Sequence, residues 1–148
     1  IVPETATLSG TIRTFDPDIR ALVHQKIRRT VTNIASSQGA TATIDIDPGV
    51  PVTFNDPQLT EQMAPTLKEV YGQDGVTISI PVTGAEDFSF YQEQVPGFFF
   101  YIGGRPEGVP IEKAIPNHSP FFDADEGALK PAVHAMSRLA VDFLRASG

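Results

Sequence analysis

Apolar and polar residues alternate loosely over residues 5–13, a stretch rich in β-branched side chains, and this predicts a strand. The period then changes. Asp16-Pro17 supplies a helix cap followed by a proline whose fixed φ suits the first helical position, and Ile19, Leu22, Val23, Ile27, Val31 and Ile34 recur at helical spacing up to Gly39. A second strand is predicted over residues 41–46, ending at Asp47-Pro48-Gly49. This strand–helix–strand unit, residues 4–47, has too little core to stand alone and reads as half of a small α+β layer domain. Pro48-Gly49-Val50-Pro51 is the natural boundary after it.

Beyond the boundary, Asp56-Pro57 repeats the cap-and-proline signature, and Leu59, Met63, Leu67, Val70 and Tyr71 form a helical stripe. Pro65 conflicts with that stripe, so a kink or a later effective start is expected. A short strand is predicted at 76–80, then a strand-to-helix turn at Gly84-Ala85-Glu86-Asp87-Phe88. Phe98-Phe99-Phe100-Tyr101-Ile102 is apolar on both faces and reads as a buried central strand. A last helix is expected over 124–145, where Asp123 and Glu126 have capping-box spacing. Its stripe is Leu129, Val133, Met136, Leu139, Ala140, Phe143 and Leu144. Alternating helices and strands make this second part an α/β sandwich.

Composition narrows the picture. The 148 residues, 41% of them hydrophobic, suffice for one ordinary domain or two small pieces with a packed core. A formal charge of −7 argues against a nucleic-acid partner, and Lys26, Arg28 and Arg29 fit a solvated helix face. No run approaches the roughly 18 apolar residues of a membrane span, so no membrane partner is expected. There is no cysteine, hence no disulfide framework and no thiolate chemistry. Ile1-Val2-Pro3 has no initiator Met and no signal-peptide pattern; the sequence starts as though cut from something longer, and a fragment or processed chain is expected.

Candidate chemistry centres on Pro116-Asn117-His118-Ser119-Pro120. Prolines at both ends stiffen this loop, and a histidine on a rigid loop after a buried strand is well placed to ligate a metal; the ordinary alternative is a surface residue or a local hydrogen-bonding group. Glu86-Asp87 follows a glycine at a strand end, where active-site residues of α/β folds gather, but a helix N-terminus also takes acidic residues for its dipole. Asp123, Asp125 and Glu126 lack a calcium-loop spacing and read as capping groups. His24 and His134 fall in predicted helices without an i+4 partner and read as structural or surface residues. Gly103-Gly104-Arg105-Pro106-Glu107-Gly108 lacks a phosphate-loop ending, and Ser119 is in no nucleophile elbow.

Three ordered motifs carry a resemblance: residues 9–16 (Ser-Gly-Thr-Ile-Arg-Thr-Phe-Asp), residues 84–89 (Gly-Ala-Glu-Asp-Phe-Ser) and residues 116–120. Together they resemble the metal-dependent amidohydrolases of the aminoacylase/carboxypeptidase peptidase family, in the branch of hippurate hydrolase and the indole-acetyl-amino-acid hydrolases. The resemblance runs from about Pro3 to Leu144. It implies an α/β catalytic domain holding two divalent metal ions (Zn, Mn, Ni or Co), interrupted by a smaller ferredoxin-like α+β lid. Residues 1–50 would be the second half of that lid, through which a homodimer or homo-oligomer could form, and residues 51–148 the C-terminal part of the catalytic domain. His118 matches the family's C-terminal metal ligand. Glu86 and Asp87 match a motif lining the cleft near the metals, and Arg13 the lid arginine that could pair with a substrate carboxylate. Gly84 would allow close backbone approach, and Asn117 sits in the metal-ligand motif itself.

The implied substrate is an N-acyl amino acid or a related small amide. The family's other metal ligands, and its Glu-Glu pair with the general base, have no counterpart here, so the chain alone is expected to be inactive. The rival reading is a non-enzymatic binding or dimerisation module that kept the fold without the metal site. The compartment stays open, the cytoplasm being favoured over a secreted or periplasmic location.

Overall fold

Asp16 starts the first helix as its sequence context predicts. The computed structural model describes residues 3–146, so Ile1, Val2, Ser147 and Gly148, at the outer ends of the expected 1–50 and 51–148 divisions, lie outside the described residues. The Asp16 carboxylate accepts from the N–H groups of Asp18 (2.8 Å) and Ile19 (2.9 Å), two of the donors that a helix start leaves unpaired. Helix α1 (Pro17–Ser37) ends in a Schellman turn. Gly39 sits at φ 70°, its N–H donates to the Ser36 carbonyl, and the Ala40 N–H donates to the Ala35 carbonyl, both at 3.0 Å.

The chain gathers into two compact units, the first made of residues up to Thr53 with 81–94, the second of 54–80 with residues from Val95 onward. In the first unit α1 lies along residues 44–50. Arg28 donates to the Ile44 carbonyl (2.9 Å), and Arg20 to those of Val50 (2.9 Å) and Pro48 (3.3 Å). Ala42, Ile44 and Ile46 are half-buried and alternate with exposed Thr41, Thr43 and Asp45, the period of a pleated chain.

The second unit is built on α2 (Pro57–Tyr71) and α4 (Leu129–Ala146), which pack on each other; α3 (Phe88–Gln92) belongs to the first unit. Asp56 caps α2 by accepting from the Leu59 N–H at 2.8 Å. The helix begins at Pro57 and runs through Pro65, so the later start expected from Pro65 does not occur. Pro65 and Glu61, whose carbonyl loses its partner there, are both exposed, and water can serve that carbonyl. Met63, Thr66 and Leu67 of α2 and Ala135 of α4 are buried. Ala135 has almost no side chain, which lets the helices approach closely.

A polar seam runs along the same contact. The Thr66 hydroxyl donates to Asp142 Oδ2 at 2.8 Å, and Arg138 lies 2.8 Å from Glu69 and 3.4 Å from Asp142. The Thr66 hydroxyl, and then Arg138, hold the Asp142 carboxyl below the usual carboxylate value against the opposing effect of desolvation. Arg138 is raised chiefly by the Asp142 charge. Two hydroxyls on α2, those of Thr60 and Tyr71, are buried without a partner among the described residues, and desolvation raises the Tyr71 phenol.

Two expectations differ from what is seen. Ahead of the last helix the capping carboxylate is that of Asp125, which accepts from the Gly127 N–H at 2.8 Å at the start of a turn before the helix, and not that of Asp123. A 3₁₀ turn (Glu126–Ala128) leads into α4. The capping box needs a hydroxyl-type cap three residues before its Glu, and Asp125 wins because its carboxylate reaches an N–H two residues on. The stretches expected as strands, 5–13, 41–46, 76–80 and 98–102, join no strand ladder among the described residues. A strand is defined by its hydrogen-bonded neighbour, and none of the four finds another of the four here.

Candidate functional site

His118 sits at the centre of a closed turn. The Ser119 N–H donates to the Pro116 carbonyl at 2.9 Å, leaving Asn117 and His118 as the two central residues, both exposed. Ser119 fastens the exit: its carbonyl accepts from the Phe122 N–H at 3.0 Å and its hydroxyl from the Phe121 N–H at 3.2 Å. Sequence reasoning missed this role of Ser119; the signal was a hydroxyl residue at the end of a proline-flanked turn. The turn belongs to a long loop over 105–124. At the loop's neck the Asp125 N–H donates to the Gly104 carbonyl at 2.9 Å. A Cβ at Gly104 would stand 3.7 Å from that of Ala124, an ordinary contact, so the neck is snug without needing glycine. Within the loop Arg105 donates to the Val109 carbonyl, and Val109 N–H to that of Pro106 at 3.2 Å.

Arg13, Gly84, Glu86 and Asp87 belong to the first unit, and Asn117 and His118 to the second. Arg13 is exposed and donates through one guanidinium nitrogen to the Thr83 carbonyl, which brings it beside Gly84. Around Gly84 the space is open: a Cβ there would meet nothing within 4 Å. Glu86 is half-buried and spends one carboxylate oxygen on the Phe88 N–H at 3.1 Å, while its carbonyl accepts from the Ser89 hydroxyl at 2.6 Å. Glu86, one residue before the N-cap position Asp87, thereby takes up the first N–H of α3, a place where a carboxylate also suits the helix dipole. Asp87 is exposed, and its side chain makes no capping bond.

His134, with Val70, Lys130 and Pro131, lines a shallow depression of about 210 Å³ beside the packed pair of α2 and α4. His24 is half-buried on α1.

Metal chemistry asks for several donors converging on one point, three or four in hydrolytic and structural sites. Among the described residues no three His, Cys, Asp or Glu side chains are grouped closely enough to hold an ion. His118 has the chemistry of one ligand, but the donor set of this chain does not by itself fit a two-metal centre. Among the described residues no helix is long and apolar enough to cross a membrane.

A family model described as peptidase family M20/M25/M40 matches residues 2–142. A thermostable carboxypeptidase 2 of Saccharolobus solfataricus is 35% identical over 144 residues, covering 97% of this chain and 35% of that protein. An N-acetylcysteine deacetylase of Bacillus subtilis is 33% identical over 146 residues, 97% of this chain and 36% of that protein. An IAA-amino acid hydrolase ILR1-like 4 of Arabidopsis thaliana is 29% identical over 148 residues, 97% of this chain and 33% of that protein. The chain thus spans about a third of the length of these relatives.

Proposed function

The chain belongs to peptidase family M20/M25/M40, and from that premise we propose that the whole protein cleaves the amide bond of an N-acyl amino acid or related small amide, using two divalent metal ions. This chain would be its C-terminal portion. Residues 1–50 would form the second half of a ferredoxin-like lid, able to pair with a second copy, and residues 51–148 the end of an α/β catalytic domain. The four strand-like stretches would find their ladder partners in the rest of that protein.

The observation that carries the reading is the 116–119 turn. It presents an imidazole to solvent with no hydrogen bond to another described residue, between two prolines that limit its movement. A neutral imidazole so presented is a ready ligand, and its second nitrogen would need a partner to fix the tautomer. Arg13 keeps further N–H donors beyond the one given to Thr83, enough for a substrate carboxylate. Asp87 and Asn117 are exposed polar groups able to touch substrate or a metal-bound ligand. Glu86 would act with one carboxylate oxygen, the other being engaged at α3.

The chain by itself would be inactive, for want of ligands and a base. Purified chain, supplied with Zn, Mn, Ni or Co and an N-acetyl amino acid, is expected to release no amino acid above the chelator-treated control. Chelator-sensitive turnover would overturn that part of the reading. The absence of a three-donor cluster among the described residues favours a second reading, a binding or dimerisation module without a metal site. A whole protein that binds no divalent metal would favour it.

A further inference from the structure

Asn55 makes an unusual pair of bonds in the second unit. Its Oδ1 accepts from the Phe99 N–H at 2.7 Å, and its Nδ2 donates to the Phe99 carbonyl at 2.6 Å. One residue can offer both groups to one partner only when its backbone is extended, because the N–H and C=O then point the same way. Ring contacts agree: Phe98 stacks on Phe100 (centroids 5.6 Å) and Phe99 meets Tyr101 edge-on (5.2 Å), the alternation of a pleated chain. Next to the pair, the Asp56 N–H donates to the Gly97 carbonyl at 3.0 Å. Gly97 and Phe99 lie on the same edge of an extended chain. Residues 55–56 therefore occupy that edge as a strand would, with a carboxamide in place of a peptide group.

The geometry points to Asn55 as a positioning residue that sets the register of the 98–104 segment, from whose end the His118 loop springs. The segment is held at its start by Asn55 and Asp56, immediately before α2, and at its end by the bond from Asp125 to Gly104, immediately before α4. Packing of α2 on α4 joins the two anchors. The 98–104 segment that leads to the 105–124 loop is thus held at both ends, and Asn55 supplies two of the bonds at its start.

A carboxylic acid can imitate a carboxamide only when protonated, and this gives a test that mere packing would not answer. In the 148-residue chain, Asn55→Asp should keep the clasp while the introduced carboxyl is protonated, its O–H donating to the Phe99 carbonyl. Ionisation turns that contact into a repulsion between acceptors. By NMR the introduced carboxyl should titrate above the ordinary value of about 3.9. Amide exchange at Phe99 should be protected below that pKa and at least about tenfold less protected above it, with an α1 amide such as that of Ile27 unchanged. Asn55→Leu should lose the Phe99 protection at every pH. If the leucine variant fails to fold by circular dichroism, Asn55→Asp decides alone. An ordinary carboxyl pKa with pH-independent protection at Phe99 would overturn the assignment.

A consequence rests on the reading of His118 proposed above: in the whole protein Asn55→Leu should weaken metal binding less than His118→Ala does. Equal metal binding in the parent and in His118→Ala would refute that reading while leaving the exchange result standing.

Discussion

Replacing Leu67 by alanine probes the core that holds the second unit together. Leu67 is 5% exposed and, with Met63 and Ala135, is one of the buried apolar side chains among the described residues where α2 meets α4. The change removes three carbons at about 0.8 kcal/mol each, or ~2.4 kcal/mol of transfer free energy. A residual cavity adds to this, since Leu→Ala changes in cores span about 2–5 kcal/mol. Helix propensity does not oppose the loss, because alanine is the best helix former. We expect a cost of about 3 kcal/mol. Leu144, on α4, is 69% exposed and is the matched control; Leu144→Ala should cost under about 0.5 kcal/mol. Urea unfolding followed by far-ultraviolet circular dichroism measures both. With a slope of about 1–3 kcal/mol per molar, Leu67→Ala should lower the midpoint by ~1–3 M. Equal costs for the two variants, or less than about 1 kcal/mol for Leu67→Ala, would mean that α2 and α4 pack through other faces.

Thr66→Val removes the first cause of the low Asp142 pKa, so that carboxyl should titrate closer to the ordinary carboxylate value in the variant, measured by carbon NMR. The folded chain binds its Asp142 proton less readily than the unfolded chain does. Stability from this group is therefore complete above the unfolded pKa of about 3.9 and is lost as pH falls through the lower folded value. An unmoved Asp142 titration in Thr66→Val would show that the hydroxyl does not govern it. Tyr71→Phe deletes a buried hydroxyl that has no partner among the described residues and should stabilise the chain by about 1 kcal/mol in the same urea assay. A loss of stability instead would reveal a bond to that hydroxyl.

Helix ends were readable wherever a cap is local chemistry. Asp16-Pro17, Asp56-Pro57 and Gly39 each act within three residues of themselves, and each does what its type predicts. Asp123 misled because several acidic residues crowd that turn, and only geometry selects Asp125. Long-range pairs left no local trace. The Thr66–Asp142 bond spans 76 residues and the Asn55–Phe99 clasp 44, and neither follows from periodicity. Strand pairing is non-local in the same way: the β-branched runs at 5–13 and 76–80 are visible in the sequence, but they join no ladder among the described residues. At the candidate site, the two prolines made the His118 turn legible, whereas the half-buried state of Glu86 and its bond to α3 emerged only from the fold.

The proposal for His118 meets its most direct test in metal content. The whole protein and its His118→Ala variant would be loaded with one divalent metal, dialysed at pH 7.5 or so, well above the ordinary histidine pKa of about 6.5, and analysed by inductively coupled plasma spectrometry. Loss of about one metal equivalent per chain, with the fold intact by circular dichroism, is the expected result for a ligand whose removal opens one of two sites. Unchanged metal content together with unchanged turnover would contradict the assignment of His118 as a ligand.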